Sequence, residues 1–463
     1  MKMAKKNIRS CLHLLTILQL IFLFTATSLY AEPFGFLGIE SSLQDGYLED
    51  LGVSFIKGEL KFRDVYSVIE DKWDFKEKDD RFTRVYSRNA DLVMTFVSPP
   101  NMNKIRADYY RDFIVRTVER YDGDDDYGCI QNPPDCYQVG DNMYPTWDES
   151  ERPAIKFWQM ENEVDADDYW SIHPEDYAEL VNLVYPLVKS ACTDCSVLLG
   201  SFLLNKMNDM FYDVFFNNSN KFDIFDIHLF GQMQKDRFTD FSGKIDFLRQ
   251  RFPTISIWTT ETATYSDSPL THYGSSWPYQ SEKIQAIELF KRYAYLASRG
   301  IEKILWDYLY EVPFGEKNDF FWYTGLVYDG RGKYDKGEGI KKLSYFTYKL
   351  MVEKLSGADW MNISSTRVKE NVFQYRFMKD ATPVYVAWYD WFNGSSPSKS
   401  VTLDVSAIRT AQAMVTEVVP KFQTGKEADT VPFEAAFISY TVPVVNGRVN
   451  INLGKKPVCI EEY

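Results

Sequence analysis

Residues 155–164 read Ile155-Lys156-Phe157-Trp158-Gln159-Met160-Glu161-Asn162-Glu163-Val164. The segment begins as an apolar, strand-like run and ends in two carboxylates that flank an amide. An unpaired buried carboxylate is very costly, so a strand of this kind tolerates charge only at its end. We therefore predict a functional site where this strand ends.

A second segment has the same design. Residues 255–262 read Ile255-Ser256-Ile257-Trp258-Thr259-Thr260-Glu261-Thr262, which is again an apolar, β-branched strand that ends in a carboxylate. Two such strands predict a pair of carboxylates that face one pocket. Paired carboxylates are the groups with which glycosidic bonds are split by acid/base and nucleophilic chemistry.

Short apolar strands alternate with amphipathic helices over most of the chain, the pattern of a buried parallel sheet. Eight strands over about 320 residues predict a (β/α)8 TIM barrel. A doubly wound open sheet is the alternative, but Gly38-Ile39-Glu40-Ser41-Ser42 is not the Gly-rich phosphate loop of its dinucleotide-binding form. The predicted strands are Phe34–Ile39, Val53–Lys57, Leu92–Val97, Ile155–Met160, Val197–Ser201, Ile224–Leu229, Ile255–Thr259 and Lys303–Trp306. The clearest predicted helices are Lys104–Tyr121, Pro174–Ser190, Gln280–Arg299 and Gly339–Leu355.

The pattern changes near Ser356 to strands with period-2 alternation and Gly- or Pro-containing turns. This pattern predicts a C-terminal antiparallel β-sandwich domain. We therefore predict a barrel over 32–355 and a sandwich over 356–463, packed together without a long linker. The predicted sandwich strands are Val372–Phe377, Val384–Trp388, Val401–Val405, Met414–Val419, Phe437–Val442 and Val449–Leu453.

The first 31 residues have the pattern of a secretory signal peptide: basic residues, then a short apolar run, then small residues before Ala31. An uncleaved membrane anchor is the alternative, and no later stretch is apolar for long enough to span a bilayer. Residues 1–31 carry three Lys, one Arg and no acid, so without them the formal charge falls from −14 to −18. So acidic a chain is a poor partner for nucleic acid or anionic membrane. We predict a secreted or periplasmic monomer, with an envelope-anchored protein as the alternative.

Cysteine spacing predicts two disulfides in an exported protein, one between Cys129 and Cys136 and one between Cys192 and Cys195. A redox or zinc role for Cys192-x-x-Cys195 is the alternative. The three His that follow the signal are too few for a His-based metal site, so we predict no metal and no cofactor. The acidic run Asp122–Asp126 is either a solvated loop or a calcium site, although its spacing differs from the common calcium-loop pattern.

Counting strands places Glu163 after the fourth and Glu261 after the seventh, and strand ends meet at one mouth of a barrel. With Asn162 and His228, this ordered set resembles a clan A retaining glycoside hydrolase, most similar to the family 39-like branch. The resemblance implies a retaining β-glycoside hydrolase that acts by double displacement. The long loops and their aromatic residues favour an oligo- or polysaccharide as the substrate. Glu163 would be the acid/base and Glu261 the nucleophile.

The resemblance also implies roles for three further residues. Asn162 would bond the sugar 2-hydroxyl, His228 matches the strand-six His, and Trp306 matches the aromatic that floors the sugar subsite. Trp277 and Trp322, in loops after strands seven and eight, are candidate sugar platforms.

The chain departs from the family pattern at two supporting positions. The strand-two Arg that supports the nucleophile is replaced by Lys57 or displaced to Arg63. Phe230 stands where the family has a Tyr, and because Phe cannot hydrogen-bond the nucleophile, Tyr265 is a candidate substitute.

Two alternatives stay open at this point. Glu161 could be the functional acid, because strict alternation puts it on the same side as Glu163; the Asn-Glu motif favours Glu163. The chain could also be a non-catalytic glycan-binding envelope protein on a glycosidase-like barrel, which the departures at Lys57 and Phe230 support. The intact pair of carboxylates favours the enzyme, since an idle site need not keep two costly charges.

Overall fold

A computed structural model gives the fold of the chain. It describes residues 37–40, 45–53, 55–67, 72–86, 91–97, 107–123, 153–166, 170–205, 210–231, 237–269, 277–311, 319–332, 335–369, 371–390 and 398–463. The predicted signal peptide, the Cys129–Cys136 disulfide and most of the acidic run that begins at Asp122 lie outside these ranges.

Eight parallel strands close into a barrel in which each strand pairs with its sequence neighbours and the first pairs with the eighth. The predicted TIM barrel is therefore confirmed, and all eight predicted strands are present. The strands are Leu37–Glu40 (β1), Phe55–Lys61 (β2), Asp91–Val97 (β3), Phe157–Met160 (β4), Ser196–Leu199 (β5), Ile224–Phe230 (β6), Ser256–Ala263 (β7) and Ile304–Asp307 (β8).

A helix follows each strand and covers the outside of the barrel. The helices are Asp45–Leu51 (α1), Lys76–Tyr86 (α2), Ala107–Tyr121 (α3), Pro174–Ala191 (α4), Met210–Asn218 (α5), Arg237–Arg251 (α6), Glu282–Ser298 (α7) and Leu343–Leu355 (α8). Among these helices, none in the described part of the chain is both long and apolar enough to cross a membrane. Shorter elements are the helical turns Phe62–Val65 and Gly425–Ala428, the two-residue strands Tyr66–Ser67 and Lys72–Trp73, and the 3-10 turns Trp170–Ile172, Phe320–Tyr323, Trp360–Asn362 and Phe433–Ala436.

The barrel interior has an apolar lower layer and a polar layer above it. Strand side chains alternate in direction, so residues two apart on one strand face the same side. Phe55, Trp258 and Leu305 belong to one buried cluster inside the barrel, and the rings of Phe55 and Trp258 lie 5.4 Å apart. Two residues further along their strands, Lys57 and Thr260 are also buried. The polar layer therefore lies directly beneath the mouth of the barrel, where the strands end.

The C-terminal region is an antiparallel β-sandwich, as predicted. The strands are Ser364–Lys369 (β9), Val372–Lys379 (β10), Thr382–Tyr389 (β11), Lys399–Asp404 (β12), Gln412–Glu417 (β13), Ser439–Pro443 (β14), Arg448–Leu453 (β15) and Val458–Glu462 (β16). A six-stranded sheet, in the order β9-β10-β11-β16-β13-β14, packs against the pair β12-β15 through a common apolar core. Two of these strands, β9 and β16, were absent from the prediction.

The predicted Cys192–Cys195 disulfide is present and joins the end of α4 to the start of β5. Cys195 Sγ lies 3.5 Å from the carbonyl oxygen of Ile155, which precedes β4. The bridge therefore lies at the end of the barrel where the strands begin, opposite the mouth. Cys459 is a free, buried thiol in the sandwich.

Candidate active site

The chain turns sharply where β4 ends, and this turn separates two neighbouring glutamates. Glu161 and Glu163 both adopt positive φ, 72° and 47°, which costs roughly 1–3 kcal/mol for a non-Gly residue. Backbone bonds to β3 and to the segment after β5 hold the turn: Glu161 N donates to Phe96 O at 3.0 Å, and Val164 N donates to Ser201 O at 3.1 Å. The alternation of the strand therefore stops at Met160.

Because of this turn, Glu161 and Glu163 do not share a side. Glu161 is buried, and its charge acts on the hydroxyls of Tyr110 on α3 and Tyr177 on α4, where it adds to burial in raising their pKa values. The expectation from strict alternation is wrong. Glu163 has 29% of its side chain exposed and lies against His228.

Glu261 reaches the mouth through a bulge in β7. Asp226 pairs with Trp258 and His228 pairs with Glu261, so β7 advances by three residues over a stretch in which β6 advances by two. Such a bulge re-aims the side chains that follow it. Thr260 therefore points inward to Asp226, and Glu261 points inward as well instead of outward.

His228 bridges the two carboxylates. Its Nδ1 lies 2.9 Å from Glu163 Oε1 and 3.2 Å from Glu261 Oε2, and its side chain has no exposed surface. One ring nitrogen of His228 and one carboxylate oxygen each of Glu163 and Glu261 all lie within 4.8 Å of one another. The two carboxylates are thus close enough to act on one bound molecule.

Lys57 and Asn162 complete the group of predicted residues at the mouth. The Lys57 ammonium donates to Glu261 Oε1 at 2.5 Å and to Asn162 Oδ1 at 3.0 Å. Ser201 Oγ also donates to Asn162 Oδ1, at 3.1 Å. Two donors on the amide oxygen fix its orientation, so the amide nitrogen is the group that can donate to a ligand. Arg63 is exposed on the turn after β2, so Lys57 and not Arg63 contacts the predicted nucleophile.

A buried hydrogen-bonded layer beneath the carboxylates went unnoticed in the sequence. Gln159 on β4 accepts from Thr95 Oγ1 at 2.6 Å and donates to Asp226 Oδ2 at 2.6 Å. Asp226 also accepts from the backbone N and the hydroxyl of Thr260, at 2.8 and 2.6 Å. The signal that could have revealed this layer is polar side chains at every second position of otherwise apolar strands.

The surroundings of Glu163 favour its charged form. Burial pushes the pKa of Glu163 up, but the hydrogen bond from His228 and the positive charges of His228 and Lys57 outweigh burial. The pKa of Glu163 therefore lies below its ordinary value in the absence of a ligand. A general acid must hold a proton before it acts. The lowered pKa of Glu163 therefore means that Glu163 has to receive a proton when substrate binds.

Two predicted site residues do not reach the mouth. Trp306 is fully buried in the core outside the barrel, next to the inward-facing Leu305, and its Nε1 donates to Thr324 O at 2.9 Å. Its predicted role as the floor of a sugar subsite is therefore not supported. Tyr265 is also fully buried, and its single hydroxyl proton goes to Pro278 O at 2.8 Å. Tyr265 therefore does not replace the missing Tyr, and Lys57 and His228 bond Glu261 instead.

A row of aromatic rings extends from His228 along the rim. The Phe230 ring lies 5.7 Å from His228 and 5.1 Å from Phe321, which follows β8. Phe320 continues the row and lies 6.1 Å from Trp277, in the segment after β7. The four rings named after His228 are half-buried, and so is Trp322. Half-buried aromatic rings beside a polar site are suited to the apolar face of a sugar.

Within the described ranges, three groups of donors are close enough together to hold a metal ion. Cys192 and Cys195, near Asp194, have their thiols joined in a disulfide. The remaining two groups are Glu311 with Asp329 and Asp335, in which the Lys342 ammonium bonds Glu311, and Glu163 with His228 and Glu261.

Comparisons with known proteins place the fold among glycoside hydrolases. A family 39 glycoside hydrolase from Bacteroides cellulosilyticus is similar over 93% of this chain and 81% of its own, with a TM-score of 0.60 and 12% identity. A monomeric β-xylosidase from Caulobacter crescentus is similar over 93% of this chain and 97% of its own, with a TM-score of 0.56 and 13% identity. The chain therefore shares the fold of these two structures.

A family 51 α-L-arabinofuranosidase from Thermotoga petrophila is similar over 90% of this chain and 89% of its own, with a TM-score of 0.58 and 12% identity. No family model and no curated protein matches the sequence. The likeness in fold confirms the predicted barrel and C-terminal sandwich, and it extends to structures of both family 39 and family 51. The fold does not identify the substrate, because the similar structures include both a β-xylosidase and an α-L-arabinofuranosidase.

Proposed function

We propose that this chain is a retaining glycoside hydrolase that cleaves a β-linked oligo- or polysaccharide by double displacement. The observation that carries the proposal is the spacing of Glu163 and Glu261, since a carboxylate oxygen of one lies within 4.8 Å of a carboxylate oxygen of the other. Carboxyl groups about 5–5.5 Å apart serve retention, and about 6.5–9.5 Å apart serve inversion. The similarity in fold to glycoside hydrolases adds support.

The surroundings of the two carboxylates suit different roles. Glu261 is held by the Lys57 ammonium, which stabilises the charge that a nucleophile must keep before it attacks the anomeric carbon. Glu163 is the more exposed of the two, so it can reach the glycosidic oxygen and later a water molecule. Glu163 would protonate the leaving oxygen while Glu261 forms the glycosyl ester, and would then deprotonate the water that cleaves it.

The test is release of reducing ends from β-glucans, xylans, mannans and bacterial exopolysaccharides. Wild-type protein should cleave at least one of them, and Glu163→Gln and Glu261→Gln should not. Glu161→Gln is the matched control, because Glu161 is a buried glutamate two residues from Glu163 that lies away from the mouth. The folded Glu161→Gln protein should still cleave the same glycan, because the Glu161 carboxylate is turned away from His228 and Glu261.

Two measurements separate the roles. The anomeric configuration of the first product, followed by proton NMR, should match that of the substrate. Aryl glycosides with a good leaving group need little protonation, so Glu163→Gln should still form the glycosyl-enzyme from them, and added azide should restore turnover. Silence of the wild type on every glycan, with one of them still bound, would overturn the proposal in favour of a glycan-binding protein.

We also propose that the mature protein is exported and monomeric. The signal-like pattern of residues 1–31 and the Cys192–Cys195 disulfide support export, because disulfides persist in oxidising compartments. N-terminal sequencing of the exported protein should find residue 32 at or close to the start. Light scattering should give the mass of one chain.

A further inference from the structure

His228 is a buried imidazole with a defined partner at each nitrogen. Nδ1 faces Glu163 at 2.9 Å and Glu261 at 3.2 Å, and Nε2 lies 3.3 Å from Thr260 Oγ1. The charged groups that face the ring are these two carboxylates and Asp226, at 3.7 Å from Nε2. The Lys57 ammonium lies beyond Glu261.

The partners of Thr260 determine the state of Nε2. The hydroxyl of Thr260 has one proton, which it donates to Asp226 Oδ2 at 2.6 Å. Its oxygen can then only accept from His228, so Nε2 carries a proton. Gln159 and the backbone N of Thr260 hold Asp226 in place, which makes this arrangement rigid. Exchange of a proton at His228 is therefore confined to Nδ1.

A count of protons at Nδ1 shows that one more must be present. An ionised carboxylate only accepts hydrogen bonds, and a bare ring nitrogen also only accepts. At least one proton must therefore lie among Nδ1, Glu163 and Glu261. Lys57 already donates to Glu261, so the proton lies between His228 Nδ1 and Glu163 Oε1.

We propose that His228 stores the proton that Glu163 delivers to the leaving group, with Thr260 and Asp226 as positioning residues. The inference rests on the proposed function for the use of the proton, but not for its location. In the free protein the proton is on Nδ1 and Glu163 is ionised. A bound sugar removes water from the exposed part of Glu163, and loss of water disfavours charged pairs over neutral ones. The proton then moves to Glu163.

The atoms balance over the two steps. In the first, the proton passes from Nδ1 to Glu163 and on to the glycosidic oxygen as the C1–O bond breaks and Glu261 bonds to C1. In the second, water bonds to C1 as the ester to Glu261 breaks, and its proton goes to Glu163 and back to Nδ1. His228 and both carboxylates end as they began.

The location of the proton can be measured without a substrate. The sequence has only four His, so protein labelled with ¹⁵N-histidine gives few signals, and His228→Gln identifies the one of interest. We expect one proton on Nε2 of His228 and a second proton on Nδ1 in the free protein. Thr260→Val removes the hydroxyl that accepts from Nε2, so the neutral ring should no longer be held with its proton on Nε2. Thr260→Ser keeps a hydroxyl there and should keep the proton on Nε2. A deprotonated Nδ1 in the free wild type at neutral pH would overturn the inference.

The use of the proton is tested by the pH dependence of kcat/KM on aryl glycosides with poor leaving groups. In His228→Gln a carboxyl alone must hold the proton, so the basic limb should move to lower pH by about one pH unit or more, a tenfold loss of proton affinity. Thr260→Val should move it in the same direction, and Thr260→Ser should not. Coincident profiles for wild type and His228→Gln would refute the proton store, while silence of the wild type would refute only the proposed function.

Discussion

Lys57 holds Glu261 in place although two residues expected to support it are missing. The expected Arg and Tyr are both missing, yet the ammonium of Lys57 bonds Glu261 and Asn162 together, with no exposed side-chain surface. A buried charge that loses its partner costs about 3–5 kcal/mol. The stability of the fold and the readiness of the nucleophile therefore depend on the same contact.

A double-mutant cycle measures this dependence. Lys57→Met should lower the free energy of unfolding by about 3 kcal/mol, because Glu261 is left charged and buried. Lys57→Met combined with Glu261→Gln should lose less than the sum of the two single changes, by at least about 1 kcal/mol. Urea unfolding at pH 7 gives the values. Lys61→Met, a change at the partly exposed end of the same strand, should cost under about 0.5 kcal/mol. Additive single changes would argue against the buried pair.

Asn162 should act on the substrate and not on the fold. Its amide oxygen is held by Lys57 and Ser201, which leaves the amide nitrogen to donate to the sugar 2-hydroxyl. Asn162→Ala should lower kcat/KM by about 100-fold on a glycoside that has this hydroxyl, and hardly at all on the 2-deoxy glycoside. Ser201→Ala is the control, because Lys57 still orients the amide. Equal losses on both glycosides would contradict the assignment.

The residue scale also shows where prediction from sequence stops. Asn162, Glu163 and Glu261 could be placed at one mouth because they follow counted strands. Trp306 could not, because its role depended on which way a single side chain faces on β8, and Leu305 takes the inward position. Composition and order along the chain do not determine that facing.

At the scale of elements, the bulge in β7 is what the sequence did not reveal. Thr260 and Glu261 are adjacent, and regular alternation would send one of them outward. The extra residue in β7 lets both point inward, so one strand supplies a carboxylate to the mouth and a hydroxyl to the layer beneath. A bulge is a shift in the pairing register of two neighbouring strands, and the register is determined by closure of the whole barrel. The sequence of β7 alone therefore does not predict the bulge. The strands themselves were predictable because their apolar runs are bounded by polar turns.

Asp50 fastens the first helix to the last where the barrel closes. Its carboxylate accepts from Lys349 at 2.5 Å, Tyr345 at 2.7 Å and Lys341 at 3.0 Å, all in or next to α8. Burial pushes the pKa of Asp50 up, but these hydrogen bonds outweigh it and bring the pKa from 3.8 to about 2. The closure is therefore stabilised by an ionised Asp50.

The sign of the pH effect follows from this lowered pKa. An acid whose pKa is lower in the folded state stabilises the fold above its unfolded pKa and loses that effect as pH falls through its folded pKa. Asp50→Asn should cost about 1 kcal/mol at pH 7, since the group is partly exposed. The difference from wild type should shrink between about pH 4 and pH 2. Chemical unfolding over this range is the measurement, with Glu49→Gln as control, and a constant difference would contradict the prediction.

At the scale of the whole molecule, the barrel and the sandwich share buried polar contacts. The Lys291 ammonium on α7 donates to Asp390 at the end of β11, at 2.7 Å, and both side chains are almost fully buried. Glu282, at the start of the same helix, accepts from the backbone N of Gly425 at 2.7 Å. These contacts form only when both the barrel and the sandwich are folded. The sequence could predict the two domains, but it could not show that each depends on the other for stability.

This dependence predicts that the two parts unfold together. Wild-type protein should show one thermal transition in calorimetry, and limited proteolysis should not release a stable C-terminal fragment. Lys291→Met leaves Asp390 buried and unpaired, so it should lower the free energy of unfolding by about 3 kcal/mol. Glycan cleavage by the folded variant should stay unchanged, because Lys291 lies on the outer helices and not at the mouth.

Lys283→Met, a change at a half-buried residue of the same helix, is the control and should lower the free energy of unfolding by less. Two separate transitions in the wild type, or a sugar-binding C-terminal fragment, would show that the sandwich is an independent module.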